Sequence, residues 1–393
     1  MKFSERTAWR ASDSPYLAAV ADARASGKPL IDLTVSNPVV CGLGLTAERV
    51  LAPLGDASNL TYDPQPFGLI HAREAVAAYY ASRGARVSPQ SIVMTASTSE
   101  AYSYLLRLLC DVGDEVLIAS PSYPLLDVLA DLNDVKLVHY PLFYDHGWHI
   151  DSGALEKLVT PQTRAIVVIH PNNPTGHYTG VGERRFIEAL CAQHDLALIV
   201  DEVFLDYSLG EPTTSFACGA HPVLTAVLSG LSKIAGLGQM KGAWVVVDGP
   251  GAVEALGRLE VIADSYLSVS APTQNALPAW LEGCGAVQGA VRGRTAANLK
   301  ALDEVLAGQS LVSRLEVAAG WYVILRLPDV VGNQELAVRL LEARGVVTQP
   351  GHLFGMVGDG WLVVSLLPEE STFDAGIRAI VQFAMELPGS SGS

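Results

Sequence analysis

Cysteine is scarce in this 393-residue chain: Cys41, Cys110, Cys191, Cys218 and Cys284 lie far apart, and no two form a CxxC pair. An odd, scattered set argues against a disulfide framework or a zinc ribbon and fits a reducing compartment. Basic charge is also short. The chain has 26 Lys and Arg against 41 Asp and Glu, a net of −15, with no basic tail or cluster, so neither nucleic acid nor an anionic membrane is an expected partner. No apolar run approaches the ~18–20 residues of a membrane span. The polar start MKFSERTAWRASDSP carries no apolar stretch of a secretory signal. A soluble, cytoplasmic protein is the expectation. The nine histidines are scattered; His146 and His149 in DHGWHI have no carboxylate-bearing helix nearby and read as loop residues, not metal ligands. No GxSxG is present for a serine hydrolase.

What the chain does have is apolar substance, 49% hydrophobic against 17% charged, enough for one large domain or a large and a small one. Seven short apolar runs read as strands: 91–96, 114–120, 135–140, 164–171, 196–202, 224–230 and 243–249. Amphipathic stretches at 99–111, 124–132, 181–194 and 253–266 read as helices. Strands alternating with helices predict an α/β fold, a mostly parallel seven-stranded sheet flanked by helices. From about 285 the texture changes to a long helix (286–307), strands near 315–327, 346–349 and 361–366, and helices at 333–343 and 372–386. This second pattern predicts a smaller α+β domain. The first 45 residues are expected to join it, because LIDLTVSNP is a strand without a crossover partner nearby. The expected division is therefore a large domain over 46–284 and a small one from 1–45 with 285–393. The closing PGSSGS reads as a flexible tail.

In such sheets ligands gather at the carboxyl ends of the strands, and there the unusual residues fall. Strand 91–96 runs into Ser97-Thr98-Ser99 at the start of a helix, where backbone N–H groups, hydroxyls and the dipole favour an anion; a plain N-cap is the alternative. Strand 114–120 ends in PSYP, with Tyr123 between prolines. It is suited to stacking on a flat ligand or to packing. Strand 164–171 ends in HPNNPTG, a turn that orients Asn172 and Asn173. Strand 196–200 runs into Asp201, which at the end of an apolar run needs a cationic partner. The next strand leads into LSGLSKIAGLGQMKGAW, with Lys233 after Ser232 and Lys241 beyond, both among small and apolar neighbours. A buried lysine must be paired or lose its proton.

HPNNPTG, the DEV that follows an apolar strand, and the SK that closes the next strand resemble, in that order, the class I/II aminotransferase family of pyridoxal-phosphate-dependent, fold-type I enzymes. SPSYP, the 62–80 stretch and VTQPGHLF at 347–354 are similar as well. The resemblance runs from about Leu33 to Phe383. It implies pyridoxal 5′-phosphate as cofactor and transfer of an amino group from a small amino donor to a carbonyl acceptor. It also implies Lys233 as the Schiff-base lysine and proton carrier, Asp201 beneath the pyridine nitrogen, Asn173 at the ring hydroxyl and Tyr123 on the ring face. The phosphate would be held by Ser97, Thr98, Ser232 and Lys241. Tyr62 would reach the cofactor of a neighbouring subunit, so the resemblance implies a homodimer, and it implies a mouth lined by VTQPGHLF, His352 included.

Three positions depart from the family pattern. Phe204 stands where a tyrosine usually donates to the ring hydroxyl; Tyr207 is nearby, with nothing to say that it substitutes. Lys241 replaces an arginine, keeping charge but losing the bidentate fork. Val363, in WLVVSLL, stands where an arginine usually clamps the substrate carboxylate. Either another cation does that work, with Arg294, Arg326 and Arg344 candidates by position, or the substrate is not a free α-amino acid. These departures keep a lyase, synthase or cyclase of the same fold as the alternative to transamination. A dinucleotide site at Gly42 and Gly44, with Asp63 beyond, fits GxGxxA, but SNPVVC separates strand from glycines and Pro53 interrupts the helix that should follow.

Overall fold

The computed structural model describes residues 1–9, 14–211 and 213–387; the closing PGSSGS lies outside them. In chain order the strands are β1 (Ile31–Asp32), β2 (Ile92–Thr95), β3 (Glu115–Ser120), β4 (Lys136–Tyr144), β5 (Trp148–Ile150), β6 (Thr163–Ile169), β7 (Ala197–Asp201), β8 (Thr225–Gly230) and β9 (Ala243–Asp248). They continue with β10 (Ser313–Arg314), β11 (Tyr322–Arg326), β12 (Val346–Val347), β13 (Gln349–Pro350) and β14 (Trp361–Ser365).

The main sheet has the order β2-β9-β8-β7-β6-β3-β4-β5. Its centre, from β8 to β4, is parallel. β9 runs antiparallel to both of its neighbours. All seven expected strands are present. The eighth, β5, comes from the DHGWHI stretch expected to be loop: its Trp148 and Ile150 are buried while His149 between them is exposed, so it pairs as an edge hairpin with β4. Alternation explains why the central strands are apolar throughout. Leu198 and Val200 enter the hydrophobic cluster on one face of the sheet, and Ala197 and Ile199 the cluster on the other. Asp201 continues the row of Ala197 and Ile199, toward the helix Thr98–Leu109.

The C-terminal part folds as a four-stranded antiparallel sheet, β10-β11-β14-β13, covered by the helices Asn333–Arg344 and Glu370–Glu386. The N-terminal segment is stitched to it. β1 pairs in parallel with β12, Leu33 N–H donates to Val347 O, and the Tyr16 hydroxyl donates to Thr348 O at 2.6 Å. The long helix begins at Ala271, earlier than the expected 286, and reaches Leu306. Pro272 and Pro278 hid its first turns: a proline in the opening turn lacks only an N–H that has no partner there, and Pro278 is carried inside.

Candidate functional site

Five strand ends converge on one cavity of about 340 Å³. It is lined by Ser97, Thr98 and Ser99 after β2, Tyr123 after β3, Asn173 after β6, Asp201 and Phe204 after β7, and Gly230, Ser232 and Lys233 after β8, together with Lys241. Every residue expected to hold the cofactor except Tyr62 is in this set. Tyr62 is 85% exposed and lines a separate groove with Thr61, Asp63 and Tyr104.

The helix Thr98–Leu109 is started by Ser97, whose hydroxyl accepts from Glu100 N–H at 3.2 Å. Glu100 in turn accepts from Ala96 N–H at 2.7 Å and from the Ser268 hydroxyl at 2.6 Å. One turn in, Tyr102 shares a buried face with Leu105 and Leu106. From there its hydroxyl donates to Asp201 Oδ2 at 3.0 Å, and Val203 N–H donates to Oδ1 at 3.1 Å. These two bonds hold the carboxylate but bring no cation. Burial therefore dominates and pushes the Asp201 pKa up to about 6. The adjacent Glu202 faces the other way and is bound by the Ser215 hydroxyl at 2.6 Å and by Phe216 N–H; burial raises it to about 7.

Lys233 keeps part of its surface open to the cavity but is otherwise enclosed by protein. Its Nζ lies 5.4 Å from the Phe204 ring centre and 5.1 Å from that of Trp321. Burial among these rings lowers its pKa, partly offset by the Asp201 charge. The Tyr207 hydroxyl donates to Lys233 O. Tyr207 therefore fixes the backbone behind the lysine; it does not line the cavity and does not replace the phenol missing at Phe204. Gly230, which precedes the turn carrying Lys233, has no room for a side chain: a Cβ would meet Ala243 Cβ at 2.8 Å. Lys241 sits in the left-handed region, φ 53°, after the turn Gly238–Met240.

The two asparagines divide their work. Asn172 Nδ2 donates to Pro121 O at 3.0 Å and to Thr175 Oγ1 at 2.8 Å, tying this turn to the one that carries Tyr123. Asn173 faces the cavity, and its buried Oδ1 has no hydrogen-bond partner. Gly176, at φ 69°, lets the turn meet the C-terminal part: a Cβ there would lie 2.5 Å from Ala319 O.

Two expectations need correction. VTQPGHLF does not line the cavity; it braces the Tyr123 turn from behind, where Ser122 N–H donates to Phe354 O at 2.9 Å, and His352 is outside the lining set. None of the three replacement arginines lines it either. Arg294 donates to Leu367 O, Arg326 lies over the Trp361 ring and Arg344 pairs with Glu386. Gly42 and Gly44 follow β1, which pairs only with β12, in a turn after Asn37, so they are not the strand-to-helix crossing of a dinucleotide site. Sequence reading missed Ser36, Tyr102 and Tyr322 in the lining. Only Tyr102 left a signal, its spacing with Leu105 and Leu106 on the inner face of a helix that begins at Ser97.

The chain has many relatives. The model of the family described as aminotransferase class I and II matches residues 30–380. Glutamate-pyruvate aminotransferase AlaA of Escherichia coli K12 is 30% identical over 265 residues, 65% of this chain and 64% of that protein, so the chain spans just under two thirds of that relative's length. Alanine aminotransferase of Mycobacterium tuberculosis is 27% identical over 91% of this chain and 86% of the relative. Among solved structures, an alanine aminotransferase from Pyrococcus furiosus superposes with a TM-score of 0.89 at 22% identity, covering 98% of this chain and all of that one. That likeness carries the fold alone. The match over residues 30–380, on a sheet whose strand ends bring these side chains together, settles the lineage: the chain belongs to the class I and II aminotransferase family.

Proposed function

We propose that this protein is an aminotransferase that holds pyridoxal 5′-phosphate in the Lys233 cavity and moves an amino group between a small amino donor and a carbonyl acceptor. The observation that carries the reading is the pair at the ends of the neighbouring strands β7 and β8. A buried carboxylate with no direct ion pair and a lysine with a lowered pKa, each within reach of the other's charge, face one chamber. The residues fit that cofactor. Asp201 has no direct ion pair and could accept from a protonated pyridine nitrogen, the unpartnered Asn173 Oδ1 lies at the same cavity, and Gly230 leaves room that a side chain would fill.

Bound there, pyridoxal phosphate supplies an electron-withdrawing ring that stabilises the charge left when a proton leaves the substrate carbon beside nitrogen. The chain does the rest. Burial favours the neutral amine of Lys233, which is free to bond to a carbonyl carbon and to take and return a proton at that substrate carbon. Tyr102 and Val203 orient the Asp201 carboxylate to accept from a ring N–H. Tyr123, at the cavity wall, would stack on the ring. Ser97, Thr98, Ser232 and Lys241 would supply donors for the phosphate, and Phe204 adds only an apolar wall.

We place the large domain at 46–284 and the small one at 1–45 with 285–393, on the strength of the β1–β12 pairing and the separate hydrophobic cluster of the C-terminal part. A homodimer in which Tyr62 reaches the partner's cofactor is part of the reading, supported by the exposure of Tyr62 and of Leu60 beside it. The test is a spectrum of the cofactor-loaded protein. A donor should bleach its visible band, and a 2-oxo acid or aldehyde should restore it; a band that no donor and acceptor interconvert contradicts amino transfer.

A further inference from the structure

We infer that the substrate end of the Lys233 cavity accepts a neutral polar group, an amide or a hydroxyl, at the position where an α-amino acid carries its carboxylate. The inference rests on the proposed amino transfer and names its substrate class. Among the described residues lining the cavity, the charged side chains are Asp201, Lys233 and Lys241. On the proposed reading Lys233 faces the reacting centre and Asp201 the ring nitrogen. Lys241 belongs to the opposite, phosphate end, where it follows a turn packed on Ser232: a Cβ at Gly238 would lie 3.5 Å from Ser232 Oγ.

The remaining wall is uncharged, formed by Ser36, Tyr123, Phe204 and Tyr322. Tyr322 is buried, and the Ser36 hydroxyl stands against its phenol. Behind it, one row of the antiparallel sheet reads Ile324, Val363, Gln349, with Val363 wholly buried. The arginines of this region are committed elsewhere: Arg294 to Leu367 O and Glu370, Arg326 to Trp361, Arg344 to Glu386. A carboxylate entering here would be an anion without a cation of its own, because Lys241 serves the phosphate and Lys233 the cofactor. An amide or hydroxyl needs only hydrogen bonds, and the Ser36 and Tyr322 hydroxyls can both donate and accept.

The experiment compares an isosteric pair on protein loaded with pyridoxal 5′-phosphate: 2-methylalanine and 2-methylalaninamide. Neither has a hydrogen on the carbon beside nitrogen, so both bind without transfer, and titration calorimetry gives each Kd. The amide should bind at least tenfold more tightly. Ser36→Arg, a cation introduced from a position at the cavity wall, should close the gap by tightening 2-methylalanine at least tenfold. L-alaninamide should then bleach the visible band at a lower KM than L-alanine does. Equal or tighter binding of 2-methylalanine to the unmodified protein overturns the inference and leaves amino transfer standing. Failure to form a visible band on loading overturns amino transfer and the inference with it.

Discussion

Asp201 is held by two hydrogen bonds without a direct ion pair, the Lys233 charge only partly offsets its burial, and the consequence is measurable in the protein without cofactor. Its pKa in the fold, about 6, lies above the 3.8 of an unperturbed aspartate. The folded state therefore binds the proton more tightly. This group's contribution to stability is greatest below pH ~4 and is lost as the pH rises through about 6. Asp201→Asn keeps an acceptor for Val203 N–H and removes the charge. It should stabilise the cofactor-free protein by about 2–3 kcal/mol at pH 8 and by almost nothing at pH 4, read as Tm across that range. The same variant should lose amino transfer. A carboxylate that destabilises the empty protein is what a site kept for a cationic ligand predicts; equal Tm at pH 8 would contradict it.

At the scale of elements, the site depends on how strands end. β8 stops at Gly230, and the short helix Leu231–Ile234 that follows carries Lys233. Gly230→Ala would drive a Cβ into Ala243 Cβ at 2.8 Å and towards Gly242 O at 3.1 Å. Its extended backbone is not strained, so the cost is overpacking, about 1–3 kcal/mol. Thermal denaturation should show this loss together with weaker cofactor binding, because the displaced turn is the one that holds the lysine. These strand ends were legible in the sequence because each apolar run finishes in polar or small residues at its last position, as IVD and LSG do. Legibility failed where a partner is remote. The Tyr102–Asp201 bond spans 99 positions, and Ser36 and Tyr322 meet at the cavity from opposite ends of the chain. It also failed at β5, where two buried residues around one exposed histidine are too short a pattern to show alternation, and at Pro278, a helix breaker by habit that the long helix tolerates.

Across the whole molecule, the exposed apolar residues at 60–62 are what a dimer would cover. Leu60 is 91% exposed and Tyr62 85%, and none of the cavity lining comes from their segment. Sedimentation should show a dimer. Tyr62→Phe should preserve that dimer and weaken cofactor binding about tenfold, the loss of one charge-assisted hydrogen bond to phosphate. An active monomer would remove both the dimer and this role for Tyr62. Among the described residues no helix is long and apolar enough to cross a membrane. The N-terminal segment joins the C-terminal sheet through β1 and Tyr16, and Ser36 from that segment closes the cavity with Tyr322, so the chamber is built from both ends of the chain.

If Lys233 bonds covalently to the cofactor's aldehyde, borohydride will trap the bond. The protein would be mixed with pyridoxal 5′-phosphate, reduced with sodium borohydride, digested, and its lysines examined by mass spectrometry. One stoichiometric phosphopyridoxyl adduct is expected, on Lys233, and none on Lys241 or in Lys233→Ala. An adduct on Lys241 with Lys233 unmodified, or no stoichiometric adduct at all, would contradict it.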